Sequence, residues 1–331
     1  MSNVIPLSRR SSSRLSSGRL PVQKNPGMPP LGHGKKPSVA AAPNTASSGT
    51  PSTRLLKTRV IENVKRLYPM PHVMIKARKA LADPHSDFSR LANVLQADPA
   101  LAGRILKVAN SALYRRQGHI TSVQQAAALL GMKAVAQIVT MISQSRMLGR
   151  ALMGYGLDAG ILWRHSLTVA VLSELLSRGT GAGDRSEAFL GGLMHDAGKI
   201  ILNPYLIERE GTRSSAFSAA GHESLDREQV LLGFDHAEIG SELCIKWQLP
   251  VLLANAIRFH HMPGLSSGNP IAYVIHLADF MAHRAKDLTE ADTDWREVDA
   301  ALAFLGLTPS RAFSLTSAAE ENLEDLEEDT L

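Results

Sequence analysis

The sequence predicts an all-α protein in two helical lobes, and three observations carry that prediction. After Arg54, apolar residues recur at helical spacing almost throughout, the pattern of helices that each bury one face. β-branched residues in strict alternation between turn residues are hard to find. Alanine is abundant, while Phe, Trp and Tyr together make up 5% of the chain, a balance that favours helix over sheet.

In chain order, residues 1–53 stand apart. They are rich in Ser, Pro, Gly and Arg with almost no apolar periodicity, so they cannot bury enough surface to offset the entropy of ordering, and a disordered tail is expected. Residues 1–59 carry ten Lys or Arg and no Asp or Glu. A tail with Arg9, Arg10, Arg14 and Arg19 can touch nucleic acid or an anionic membrane surface, although a solvated tail is the simpler expectation. SSSRLSSGRL follows Arg9-Arg10 where a twin-arginine export signal needs an apolar segment. An Arg- and Ser-rich transit peptide remains compatible with this composition.

Residues 54–150 are expected to form the first lobe of a domain spanning 54–286, with Leu91, Leu95, Leu101, Ile105 and Val108 among its apolar faces. Asp83-Pro84 and Asp98-Pro99 each place a capping carboxylate before a proline at the first helical position. Ser122 with Gln125 forms a capping box ahead of AALLGMKAVAQIV, and Gly131 marks a break there. GYGLDAG at 154–160 supplies the glycines of a joint. The second lobe, residues 157–286, is rich in histidine, and Trp163 and Trp247 read as core residues, Trp247 one turn from Leu243. Residues 287–331 begin with an amphipathic segment, 295–307, expected to pack on the second lobe. They hold thirteen acidic against two basic residues.

The net charge of +5 therefore conceals oppositely charged ends, which favours attraction between them or to outside partners. No uninterrupted apolar stretch approaches the length that crosses a bilayer. A single cysteine, Cys244, excludes an intramolecular disulfide and points to a reducing cytoplasm.

Of twelve histidines, eight fall between positions 165 and 283, where average usage would place about two or three. The densest chemistry is LGGLMHDAGK, in which His195 and Asp196 interrupt an apolar helical stretch. An imidazole beside a carboxylate is costly to bury unless each is satisfied, and two readings compete: a hydrogen-bonded buried pair, or ligands of a divalent metal. WRHSLTVA adds His165, and IHLADFMAH adds Asp279. Converging, these segments could cradle two metal ions and act on a phosphoester. His276 and His283 share the helical face of Asp279 and read as supporting or packing residues.

The order and context of these residues resemble the HD superfamily of metal-dependent phosphohydrolases. Read with ADPALAGRILKVANSALYRRQGHITSVQQAAALLGMKAV, GFDHAEIGSELCIKWQLP and AIRFHHMP, the span from Val60 to His283 is similar to an HDOD domain, the HD-related output domain of bacterial signalling proteins. The resemblance implies a second lobe built as an HD-type helical bundle. It also implies a metal set of His165, His195, Asp196 and Asp279, with Mn, Fe or Mg as the divalent ion. His236, His260 and His261 resemble histidines of the related HD-GYP phosphodiesterases, which cleave cyclic di-GMP. MPGLSSGNP stands where those proteins carry an acidic, glycine-rich GYP segment, which argues against that substrate.

HDOD domains are regarded as regulatory modules without established catalysis. The resemblance therefore implies a cytoplasmic signal-transduction module acting through signalling proteins, with a nucleotide or cyclic dinucleotide as a conceivable ligand. The alternative is a metal-dependent phosphohydrolase or cyclic-dinucleotide phosphodiesterase, with Asp196 as bridging ligand and Lys199 as a phosphate contact or a solvated charge at a helix end. A third reading, nucleic-acid binding by the basic tail, predicts salt-sensitive affinity lost on deleting residues 1–53. It is the least expected.

Overall fold

The computed structural model describes residues 51–67, 98–111, 119–210, 222–284 and 293–315, with scattered positions between and beyond these blocks. The expected tail lies outside the described residues except for its last three, which open the first helix; Asp83-Pro84 and Leu91 also lie outside them. Among the described residues all regular structure is helical, as the sequence predicts, with one isolated bridge between Leu152 and Leu157. No helix among them is long and apolar enough to cross a membrane.

The helices are α1 (Pro51–Leu67), α2 (Pro99–Ala109), α3 (Val123–Leu130), α4 (Met132–Leu148), α5 (Ile161–Thr180) and α6 (Arg185–Met194). They continue with α7 (Ala197–Glu210), α8 (His222–Leu232), α9 (His236–Lys246), α10 (Val251–Arg258), α11 (Pro270–Arg284) and α12 (Asp299–Leu305). Their ends follow local chemistry. Asp98 accepts hydrogen bonds from the amides of Ala100 at 3.0 Å and Leu101 at 3.1 Å, with Pro99 opening α2. The Ser122 hydroxyl accepts the Gln125 amide at 3.0 Å, and Gln125 reaches back to the Thr121 amide at 2.8 Å, one residue before the cap. Gly131, at φ 87°, separates α3 from α4 in a conformation that side chains disfavour.

Helices α2 and α3 pack on α4, and α4 runs on against α5, α6 and α7. α5 is the central strut, lying along α6 and α11, while α7, α9, α10 and α11 close the remaining side. α1 lies against α7, α8 and α9, where Lys57 Nζ pairs with Glu238 at 2.5 Å and Asn63 bonds to the Tyr205 hydroxyl. α12 packs on α11, with Phe304 stacked on Tyr273 at 3.8 Å between ring centres. Trp163, Leu167, Leu172, Phe189 and Phe234 are fully buried in the core. Each such side chain contributes about 1.5–3 kcal/mol by leaving water. Trp247 and Leu243 are buried as the sequence predicts.

Two glycines bring helices close enough to assemble a site. A methyl group on Gly192 would lie 2.7 Å from the Val169 carbonyl and 2.8 Å from the Ala170 Cα, so α6 presses directly on α5. One on Gly198 would lie 2.0 Å from the His236 carbonyl oxygen, so α7 presses directly on α9.

Candidate metal centre

Four helices and two links supply the site. His165 lies one turn into α5; His195 closes α6, and Asp196 is the link to α7. His236 is the first residue of α9, held by the Asp235 cap; His260 and His261 follow α10; Asp279 comes from α11. His195, Asp196, His236, His260 and Asp279 are buried.

Backbone carbonyls orient two of the imidazoles. His195 Nδ1 donates to the Gly192 carbonyl at 2.7 Å, and His260 Nδ1 donates to the Ile257 carbonyl at 2.7 Å. A ring that donates through Nδ1 keeps its lone pair on Nε2. Both Nε2 atoms are buried without a hydrogen-bond partner, as are His165 Nε2, Asp196 Oδ1 and Asp279 Oδ1. Buried polar atoms are nearly always hydrogen-bonded, so five unsatisfied ones converging on one place require an explanation.

Their spacing supplies one. Asp279 Oδ1 stands 3.0 Å from His165 Nε2 and 3.6 Å from His195 Nε2. Asp196 Oδ2 stands 3.5 Å from His195 Nε2 and 3.8 Å from His165 Nε2. Ligands about 2.1 Å from a tetrahedral ion lie about 3.4 Å from one another, which is the middle of this range. His165, His195 and Asp196 bring their ligand atoms within 4.8 Å of one another, and so do His165, Asp279 and His283, overlapping sets of three that suit a divalent ion. A second set lies beside them: the ligand atoms of His236, His260 and His261 fall within 4.8 Å of one another. His236 Nε2 is 3.1 Å from Asp196 Oδ1 and 3.0 Å from His261 Nε2. Asp196 thus turns one oxygen to each set, and all seven candidate ligands read from the sequence are brought together.

Lys199 is also here, but inside: it is 4% exposed and donates to Asp196 Oδ2 at 2.7 Å. It serves Asp196 as a buried counter-charge. His276 donates through Nδ1 to the His260 carbonyl at 2.8 Å, and His283 Nδ1 lies 3.0 Å from Asp279 Oδ1, so both support the ligand-bearing segments. The open side of the centre carries His165 and His283, whose side chains are 17% and 21% exposed.

Burial opposes ionised carboxylates here, yet neighbouring charged and polar groups outweigh it. Lys199 and the imidazoles of His195 and His236 hold Asp196 well below the usual carboxylate range, and His283 does the same for Asp279. Burial lowers His165 to about 4 and keeps His260 and His261 well below the ordinary imidazole value. Burial also works against His236 and His283, but Glu228 raises the first and Asp279 the second to about 9.

Sequence reasoning missed Glu228 and Tyr155. Glu228, fully buried on α8, accepts from His236 Nδ1 at 2.8 Å and from the Tyr155 hydroxyl at 2.7 Å. The only signal was weak: Ser224, Glu228 and Leu232 form one buried stripe at four-residue spacing.

Fold and site together define an HD-type helical domain. Residues 67–263, more than half of the chain, match the HDOD domain family, and the chain belongs to that family. In structure it is similar to a candidate phosphohydrolase from Shewanella amazonensis SB2B, at 20% identity over 82% of this chain and 98% of that one, with a TM-score of 0.67. It is also similar to an HDOD domain protein of unknown function from Geobacter sulfurreducens, at 20% identity over 81% and 97% of the two chains, with a TM-score of 0.59. These likenesses establish a shared fold. An uncharacterized protein of Treponema pallidum (strain Nichols) is 23% identical over 229 residues, 68% of this chain. The chain spans 43% of that relative's length.

Proposed function

We propose that the chain is a cytoplasmic signal-transduction module of the HDOD family that holds divalent metal and acts through protein partners. The primary position is formed by His165, His195, Asp196 and Asp279, and a second by His236, His260 and His261 with Asp196 shared. One observation supports this above the rest: His165 Nε2, His195 Nε2 and Asp279 Oδ1, three buried atoms without hydrogen-bond partners, stand at 3.0 and 3.6 Å spacing. Mixed imidazole and carboxylate donors suit manganese or iron better than magnesium, which prefers oxygen and water.

The chain's own residues do most of the work. The Gly192 and Ile257 carbonyls fix the His195 and His260 rings, Lys199 anchors Asp196, and His283 steadies Asp279. A module of this kind can pass on its state through helices that bear ligands, since α5, α6, α7, α9 and α11 all reach the centre and continue to the surface.

A second reading, a phosphohydrolase acting on a nucleotide or cyclic dinucleotide, is favoured by one feature: Asp196 faces two ligand sets, the arrangement that two-metal phosphoester chemistry uses. When bound, a divalent ion supplies Lewis acidity and lowers the pKa of water. On this reading Lys199 assists through Asp196 rather than by touching phosphate, because its amine is buried against that carboxylate.

Elemental mass spectrometry on tag-free protein and on Asp196→Ala tests the proposal. One or two transition-metal ions per chain, lost in the variant, are expected. No ion in either protein after reconstitution with manganese or iron would overturn it. Turnover of phosphoester substrates by the loaded protein, abolished in Asp196→Ala, would select the second reading.

A further inference from the structure

We infer that Glu228, which offers no ligand of its own, is the residue that makes His236 a metal ligand. This inference rests on the metal-binding reading above and assigns a positioning role within it.

Glu228 reaches the centre from behind. Its Oε2 accepts the backbone amide of His236 at 2.6 Å and lies 2.8 Å from Nδ1 of the same residue. Its Oε1 accepts the hydroxyls of Tyr155 at 2.7 Å and Ser224 at 3.2 Å, and lies 3.0 Å from His236 Nδ1. An ionised carboxylate can only accept hydrogen bonds, so the imidazole must turn an N–H toward it. The proton is thereby assigned to Nδ1, and Nε2 is the nitrogen left to meet a cation. That atom stands 3.1 Å from Asp196 Oδ1 and 3.0 Å from His261 Nε2, inside the second ligand set.

The grip is also angular. By holding both the amide and the ring of one residue, Glu228 fixes the start of α9 and the direction of the His236 side chain together. Tyr155 and Ser224 hold the carboxylate in turn, so it cannot swing away. Carboxylates placed in this way behind a ligating histidine are typically worth about 10- to 100-fold in metal affinity.

Zinc, which is diamagnetic, is the probe. Chelator-treated full-length protein is titrated with zinc against a chromophoric competitor for wild type, Glu228→Gln, His236→Ala and the double variant. Wild type is expected to bind two ions. Glu228→Gln is expected to weaken the second by about 10- to 100-fold and leave the first unchanged, because a glutamine amide can donate to Nδ1 and force the proton onto Nε2. The double variant should be no weaker than His236→Ala alone, since Glu228 acts only through that ring. Nitrogen-15 spectra of the zinc-loaded wild type should show His236 coordinated through Nε2 with a proton on Nδ1.

Two ions bound equally well by wild type and Glu228→Gln would overturn this inference and leave the metal reading standing. So would a single ion that is lost in Asp196→Ala but kept in His236→Ala. No zinc in wild type would overturn both. If Glu228→Gln does not fold, the wild-type spectra decide: coordination through Nδ1, or none at His236, overturns the assignment.

Discussion

Adding one methyl group at Gly198 tests whether α7 and α9 must touch for the centre to exist. A Cβ there would stand 2.0 Å from the His236 carbonyl oxygen, 2.8 Å from its carbon and 2.9 Å from the Gly240 amide nitrogen. All three are backbone atoms and cannot rotate aside. Restoring an ordinary contact of about 3.4 Å requires the helices to part by about 1.4 Å at that point. Overpacking of a rigid interior costs about 1–3 kcal/mol, and the backbone character of these contacts places Gly198→Ala near 3. The displaced residue is itself a proposed ligand, and Asp196 lies two positions before the substitution. The 3.1 Å separation of His236 Nε2 from Asp196 Oδ1 should open beyond 4 Å, detaching the second ligand set from its shared carboxylate. Urea unfolding of chelator-treated protein reads the stability, and zinc stoichiometry reads the site. Gly103→Ala is the matched control: it lies mid-helix with nothing within 4 Å of the added carbon, and should stabilise by about 0.5–1 kcal/mol. An unchanged urea midpoint for Gly198→Ala with both ions retained would refute the reasoning.

Other perturbations probe separate links. Asp98→Ala removes the acceptor for two amides at the start of α2 and should cost about 1 kcal/mol, read as a lower denaturation midpoint at unchanged slope; no shift would mean that the cap is redundant. Glu174 on α5 accepts from the Gln137 amide at 2.9 Å, and burial raises its pKa although Gln137, Arg178 and Arg185 oppose the shift. A carboxyl raised on folding favours the native state below its unfolded value, near 4.5, and loses that contribution as pH rises through the folded value. Glu174→Gln should therefore gain stability over wild type at pH 7, with the gain vanishing below about pH 4.5; a gain independent of pH would exclude this origin. Adding manganese to metal-free protein at about 100 times its dissociation constant should raise the unfolding free energy by about 2.7 kcal/mol. The increment should disappear in Asp279→Asn, and its persistence there would remove Asp279 from the ligand set.

Local chemistry made much of this protein legible in its sequence. Asp98-Pro99, Ser122 with Gln125, and Gly131 mark helix ends because capping depends on residues within one turn. The His-Asp doublet was legible because an imidazole and a carboxylate are conspicuous among apolar neighbours, and the later histidines because they are clustered. Glu228 was not, because the bond that gives it meaning joins α8 to the start of α9 across a turn, and a lone glutamate on a helix resembles any solvated one. Nor was the burial of Lys199 apparent, since a lysine three residues beyond an aspartate usually reaches solvent. The glycines of LGGLMHDAGK were visible as residues, but Gly192 and Gly198 act on partners at Val169 and His236, distant in sequence.

Charge balance explains how so polar a cluster persists at the heart of a helical core. Asp196, Asp279 and Glu228 are held ionised, which places three negative charges in a nearly closed space. Lys199 remains cationic, and His236 and His283, raised to about 9, carry protons at neutral pH. Three positive charges thus meet three negative ones in the metal-free protein, and neither sign is left uncompensated in a medium where that would cost several kcal/mol.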